Sequence, residues 1–185
     1  MNIPNAISFF RLLLVPVFAL VYFSGGDNSS LWAFGVFLVA GISDILDGYI
    51  ARKYNMVTSL GRIIDPLADK LMVFTALVCT AIDGKIHPIF PILFFIKEGY
   101  QIYGAARLAG KISDVVPANI WGKSATFLFY VAITLVTVFP QDLGSSLAFL
   151  ALCIALALSI IAFFTYYKIG KELIKDAGVD EKKHS

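Results

Sequence analysis

The chain has 185 residues, of which 58% are hydrophobic and 15% charged, with a net charge of +2. A soluble domain of this size carries about 25% charged residues, and the mean hydropathy here is +0.80. A soluble domain is therefore excluded in favour of an all-α, polytopic membrane protein, and so small a net charge does not suggest nucleic acid as a partner. Cys79 and Cys153 both lie in apolar runs and read as small buried hydrophobes. His87 and His184 stand alone, so no zinc-type cluster is present in the sequence.

In chain order, residues 1–7 read as a short interfacial segment and 8–24 as a first span. The apolar run inside it has no small-x-small cleavage site and is read as a span rather than a signal peptide. A turn over 25–30 leads to a second span, 31–50. A short basic connection, 52–59, precedes a third span over 61–82, where Pro66 is expected to fall in the first turn. A turn over 83–88 and a fourth span over 89–108 follow, the latter interrupted by Lys97 and Glu98. A polar loop, 109–122, a fifth span, 124–139, a turn, 140–144, and a sixth span, 147–167, complete the expected bundle. The tail is charged from Lys168 and is expected to fray over 179–185. The spans are about 20 residues each, enough for roughly 30 Å of hydrocarbon. The whole of 1–185 forms a single membrane domain without repeats.

Ten basic residues fall on one side of a six-span arrangement: Arg11, Arg52, Lys53, Arg62, Arg107, Lys111, Lys123, Lys168, Lys171 and Lys175. The other side has Lys85 with Asp27, Asp83 and Asp142. The positive-inside bias then places both termini and the polar ends of the second and third spans at the cytoplasmic face, and the plasma membrane is the expected location.

Those polar ends hold the most informative stretch. It reads D-I-L-D-G-Y-I-A-R from Asp44, then eight residues, then G-R-I-I-D-P-L-A-D to Asp69. Asp44 and Asp47 are three apart and Asp65 and Asp69 four apart, so each pair shares a helix face. Gly48 and Gly61 leave space on those faces for a ligand or a neighbouring backbone. Ionised carboxylates at the edge of hydrocarbon are costly without a positive partner. Helix capping explains one such aspartate. Two pairs on two helices point to an oxygen-rich cage for one or two hard divalent cations.

The pattern D-x-x-D-G-x-x-A-R, eight residues, G-x-x-x-D-x-x-x-D resembles the signature of the CDP-alcohol phosphotransferases, with every fixed position present. The resemblance implies two divalent ions, Mg²⁺ or Mn²⁺, held by Asp44, Asp47, Asp65 and Asp69. Asp69 would also take the proton of the attacking hydroxyl, making it the catalytic residue. It further implies a CDP-lipid pocket drawn from Asn5, Gly48, Arg52, Thr58, Ser59 and Gly61. Close helix packing is the alternative for the glycines, whose places beside the aspartates favour the nucleotide role, while helix capping is the better explanation for Thr58 and Ser59. The homodimer common in the family is expected from the resemblance alone.

Three stretches are similar to bacterial phosphatidylglycerophosphate synthases: N-I-P-N at the start, D-P-L-A-D-K from Asp65 to Lys70, and V-V-P-A-N-I-W-G-K-S-A-T from Val115 to Thr126. The similarity implies CDP-diacylglycerol as donor and glycerol 3-phosphate as acceptor. Cations for the acceptor phosphate would be Lys97, Arg107, Lys111 and Lys123. One departure concerns this pocket. That group carries an Arg-Glu pair in the fourth span, whereas this chain has Lys97-Glu98, and Arg107 falls two residues late. Lysine is a point charge and lacks arginine's fork. Other acceptors therefore stay open: phosphatidylglycerol as in a cardiolipin synthase, inositol phosphate, or serine. A divalent-cation transporter is the alternative of a different class.

Overall fold

The computed structural model describes residues 3–26, 28–54, 61–109, 120–139 and 141–183. Six helices run through them: α1 (Ile3–Tyr22), α2 (Ser29–Lys53), α3 (Gly61–Ile82), α4 (Ile89–Ala109), α5 (Ile120–Val138) and α6 (Gln141–Lys183). No strand occurs among the described residues.

Paired side chains fix the directions. Arg11 meets Asp44 and Asp47, while Phe18 meets Phe37 at 6.2 Å between ring centroids, so α1 and α2 are antiparallel. Ser8 reaches Asp65 and Tyr22 reaches Asp83, so α1 and α3 run together. Lys70 with Glu98 and Phe74 with Phe95 set α4 antiparallel to α3, and Phe90 with Phe149 and Tyr100 with Phe163 set α6 parallel to α4. The chain thus runs up and down, with two poles. One gathers the start of α1, the end of α2 and the start of α3. The other is pinned by Lys85, whose Nζ lies 3.0 Å from Asp83 and donates to Ser30 at 3.0 Å. Gly25 and Gly84, with φ of 77° and 74°, turn the chain there.

Inside the bundle the contacts are close because the residues are small. Ala33, Ala40, Ala76, Ala132, Ala148, Ala151 and Ala155 are buried beside Phe18, Phe37, Phe90, Phe94 and Phe129. Lipid is as apolar as leucine, so helix association here depends on packing and interhelical hydrogen bonds. Outside, Leu13, Leu20, Trp32, Ile45, Ile82, Phe95, Phe127 and Phe164 are all more than 60% exposed. A surface of that kind faces hydrocarbon rather than water.

Among the described residues, four helices contain a stretch long and apolar enough to cross a membrane: Asn5–Tyr22, Ser29–Ile50, Ile120–Val138 and Leu143–Ile169. The chain is a multi-pass membrane protein on that basis. α3 and α4 are as long, at 22 and 21 residues, but carry Arg62, Asp65, Asp69 and Lys70, and Lys97, Glu98 and Arg107. Their charges lower the hydropathy of two of the six expected spans.

Several boundaries differ from expectation. α1 begins at Ile3 and runs unbroken through the expected interfacial segment. α2 takes in Arg52 and Lys53, expected in a connection. Pro66 lies in the second turn of α3, so its missing N–H leaves the carbonyl of Arg62 without its usual helical donor. α6 continues to Lys183, through the tail expected to fray beyond Gly178. Strong helix formers dominate the stretch 171–175, and no proline interrupts it.

Candidate active site

The four aspartates sit on the facing stretches of α2 and α3, and each is engaged by a side chain from another helix. Arg11 of α1 donates through Nη1 to Asp44 and through Nη2 to Asp47. Ser8, one turn earlier on α1, donates to Asp65. Tyr130 of α5 donates to Asp69. Ser8 and Arg11 are three apart, so one face of α1 serves both pairs. Arg11 and Ser8 are 1% exposed and Asp47 3%, whereas the Asp44 side chain is 44% exposed. The cluster is therefore closed on the α1 side and open at Asp44.

Counting along the helices, Ser8, Arg11, Asp44, Asp47, Asp65, Asp69, Tyr130 and Glu98 stand about 6–16 Å in from the same pole. Polar side chains at this depth lie inside the bundle rather than on its rim. Arg11 corrects an expectation. The positive-inside pattern makes it an interfacial anchor, yet it is buried in a double ion pair. A guanidinium fork bridges two carboxylates in a way an ammonium cannot.

Beside Asp69, Lys70 pairs with Glu98 of α4, and Glu98 also accepts from Lys97. Lys97 further lies 5.6 Å from the centroid of the Phe94 ring. Glu98 thus holds two ammonium groups, one from each helix, and ties α4 to the cluster. Asn5 is buried in the first turn of α1, and Gly61 is buried at the start of α3. Gly48 directly follows Asp47 on α2. Lys123 is exposed seven residues before Tyr130, about 10 Å nearer the pole. The helical positions of Arg52 in α2 and Arg107 in α4 are described, but their side chains lie outside the described residues. Thr58, Ser59 and Lys111 lie outside them altogether.

Among the described residues no three acidic, thiol or imidazole groups stand together as a ready cage for a metal ion. The carboxylates are spread onto Arg11, Ser8 and Tyr130 instead. The donor set nevertheless fits a hard divalent cation, since all four groups offer oxygen alone. A cation would compete with Arg11, Ser8 and Tyr130 for these carboxylates.

Ser8, Arg11, Lys70 and Tyr130 were not singled out as site residues in the sequence. A signal existed for Arg11. It is a charge eight residues into an apolar helix, the situation that marks Lys97 and Glu98 as functional. Ser8 and Tyr130 carry no comparable signal.

A family model described as CDP-alcohol phosphatidyltransferase matches residues 1–163. A CDP-diacylglycerol–glycerol-3-phosphate 3-phosphatidyltransferase of Rickettsia bellii is 30% identical over 177 residues, covering 92% of this chain and 96% of the relative. A protein of the same name from Bacillus subtilis is 30% identical over 189 residues, covering 94% and 97%. A probable phosphatidylglycerophosphate synthase of Mycobacterium tuberculosis is 33% identical over 181 residues, covering 96% and 84%.

Proposed function

The chain belongs to the CDP-alcohol phosphatidyltransferase family, and from that premise we propose that it transfers the phosphatidyl group of CDP-diacylglycerol to glycerol 3-phosphate. The products are phosphatidylglycerophosphate and CMP. The observation that supports the reading is that α2 and α3 carry Asp44, Asp47, Asp65 and Asp69 at similar depth in an otherwise apolar bundle, each engaged by a polar side chain of another helix. Relatives bearing that activity in their names match over more than nine-tenths of the chain.

Asp44, Asp47, Asp65 and Asp69 would hold the divalent cations, two Mg²⁺ or Mn²⁺ ions by resemblance. When bound, such ions neutralise and orient a diphosphate. Asp69 accepts the proton of the acceptor hydroxyl as its oxygen bonds to the phosphorus nearest the lipid. The bond from that phosphorus to the oxygen of CMP breaks, and CMP leaves with the electron pair. A carboxylate is a weak base, so positioning and charge neutralisation supply most of the rate. Tyr130 fixes the direction of Asp69. Gly48 and Gly61 leave room for the nucleotide, with Asn5, Arg52, Thr58 and Ser59 as its further contacts. Lys97, Arg107, Lys111 and Lys123 supply positive charge for the acceptor phosphate.

All six helices span the bilayer in this reading, because α3 and α4 have the length and Lys70 of α3 is paired with Glu98 of α4. The aspartate pole faces the cytoplasm in this reading, because Arg52, Lys53, Arg62, Arg107 and Lys123 belong to the ends of α2, α3, α4 and α5 that lie at that pole. A homodimer is the assembly that the resemblance implies. An ion path would need polar groups continuing toward the other pole, whereas α2 and α3 present buried Ala33, Phe37, Val73, Ala76 and Leu77 there.

The test is purified protein with CDP-diacylglycerol, Mg²⁺ and a panel of acceptors. Phosphatidylglycerophosphate should form with glycerol 3-phosphate, and chelation should abolish CMP release. Product from phosphatidylglycerol, inositol phosphate or serine instead would reassign the acceptor. Metal flux without CMP release would overturn the enzyme.

A further inference from the structure

Arg11 carries a charge well inside an apolar helix with almost no exposure, which is costly unless something offsets it. Its two Nη groups divide between Asp44 and Asp47, three residues apart on one face of α2. Two carboxylates so placed repel each other, and Asp47 has little water to screen it. The guanidinium places a positive charge between the two carboxyl groups. The arrangement is nonetheless incomplete. Arg11 Nε is buried and finds no partner among the described residues, and Asp44 keeps 44% of its side chain open. A tie whose sole purpose was to join α1 to α2 should use its buried donors and cover both acceptors. A counter-ion that can be exchanged needs an open side through which a second cation can approach, and Asp44 provides one.

We propose that Arg11 is an internal counter-ion for the metal site, holding Asp44 and Asp47 in the metal-free protein and competing with the divalent cation for them. This rests on the reading of the four aspartates as metal ligands. A cation that takes up Asp44 and Asp47 loosens the contacts of Arg11, so Arg11 lowers the apparent metal affinity. With the cation absent, Arg11 stabilises a bundle that would otherwise hold two facing carboxylates uncompensated. Metal affinity and metal-free stability should therefore move in opposite directions when Arg11 is replaced. The displaced guanidinium remains on α1 at the depth of the site, where its fork matches a pair of phosphate oxygens. Lysine in its place can neutralise one carboxylate at a time and should behave between the two extremes.

The experiment uses the full chain in nanodiscs and Mn²⁺ alone, without nucleotide. Free Mn²⁺ is followed by electron paramagnetic resonance in wild type, Arg11→Met, Arg11→Lys and Asp47→Asn, with thermal unfolding in EDTA in parallel. Arg11→Met should bind Mn²⁺ about tenfold more tightly than wild type, unfold at a lower temperature in EDTA, and regain stability with Mn²⁺. Arg11→Lys should be intermediate in both readouts, and it carries the test if Arg11→Met does not fold. Unchanged or weaker Mn²⁺ binding in the Arg11 variants overturns the proposal and leaves Arg11 as a structural tie. The metal-ligand reading fails separately, if wild type binds no Mn²⁺ or if Asp47→Asn binds it as well as wild type does.

Discussion

Tyr130 donates its hydroxyl to Asp69 across 61 positions of sequence, joining α5 to α3 at the acidic cluster. The Tyr130 ring also packs on Phe37 of α2 at 4.9 Å between centroids. One residue thus sets the spacing of three helices and the direction of one carboxylate. Tyr130→Phe keeps the ring and removes the donor. A hydrogen bond to a charged group contributes about 1.5–3 kcal/mol. If Tyr130 orients Asp69 for proton transfer, kcat should fall by roughly tenfold to a hundredfold, the rate equivalent of that energy. KM for CDP-diacylglycerol should change little. Steady-state CMP release measures both. An unchanged kcat would show that the hydroxyl serves packing alone.

The readability of this site in the sequence was uneven for physical reasons. Carboxylates in apolar helices are conspicuous, and their spacing placed each pair on one face. The helices were equally legible where turns carry glycine or proline, and α3 begins and ends where its pattern predicts. The α1 start was harder to place, because Ile3 to Ser8 suits either an interfacial segment or a helix. Tyr130 could not be read as a partner of Asp69, since a tyrosine in an apolar run looks like any other large side chain. Arg11 was legible as a charge but not as a bridge. Near a helix start, an arginine that snorkels and one that is buried have the same sequence.

Ser8 offers a milder test of how α1 supports the site. Its hydroxyl donates to Asp65 from a buried position. Ser8→Ala removes that donor and leaves Asp65 on α3 with one fewer protein contact. A loss of about 1–3 kcal/mol in metal-free stability is expected. Divalent cation should recover part of it, because a bound ion would again engage Asp65. Chemical denaturation in detergent with EDTA and then Mg²⁺ checks this. Equal losses under both conditions would separate Ser8 from the metal site.

Glu98 is placed to matter for both fold and acceptor. It holds Lys70 and Lys97 together at a nearly buried position. Glu98→Ala leaves two ammonium groups without their shared partner, and removing one member of a buried ion pair costs about 3–5 kcal/mol. Glu98→Gln keeps the shape and should lose less. If Lys97 contacts the acceptor phosphate, Lys97→Ala should raise KM for glycerol 3-phosphate by about tenfold, one hydrogen bond to a charged group, and spare KM for CDP-diacylglycerol. A rise in both constants would mark the trio as a structural clamp. Lys97→Arg is the informative companion, since it adds the fork that lysine lacks.

The α5–α6 hairpin gives a prediction independent of any chemistry. A Cβ added at Gly144 would lie 2.7 Å from the Leu135 carbonyl oxygen and 3.1 Å from that of Phe139. Both are backbone atoms that cannot swing aside as a side chain can. Gly144→Ala must therefore push α6 away from the end of α5, at an overpacking cost of about 1–3 kcal/mol. A Cβ at Gly41 would meet Tyr130 Cε1 at 3.7 Å, an ordinary contact. Gly41→Ala should be tolerated and can even gain helix propensity. Thermal unfolding of the two variants in the same detergent should separate them by several degrees, with Gly144→Ala the lower. Folded Gly144→Ala protein should retain its turnover, because α6 supplies none of the aspartate ligands or their donors. Equal melting temperatures would mean that the close approach of Gly144 to α5 is not needed to hold the hairpin together.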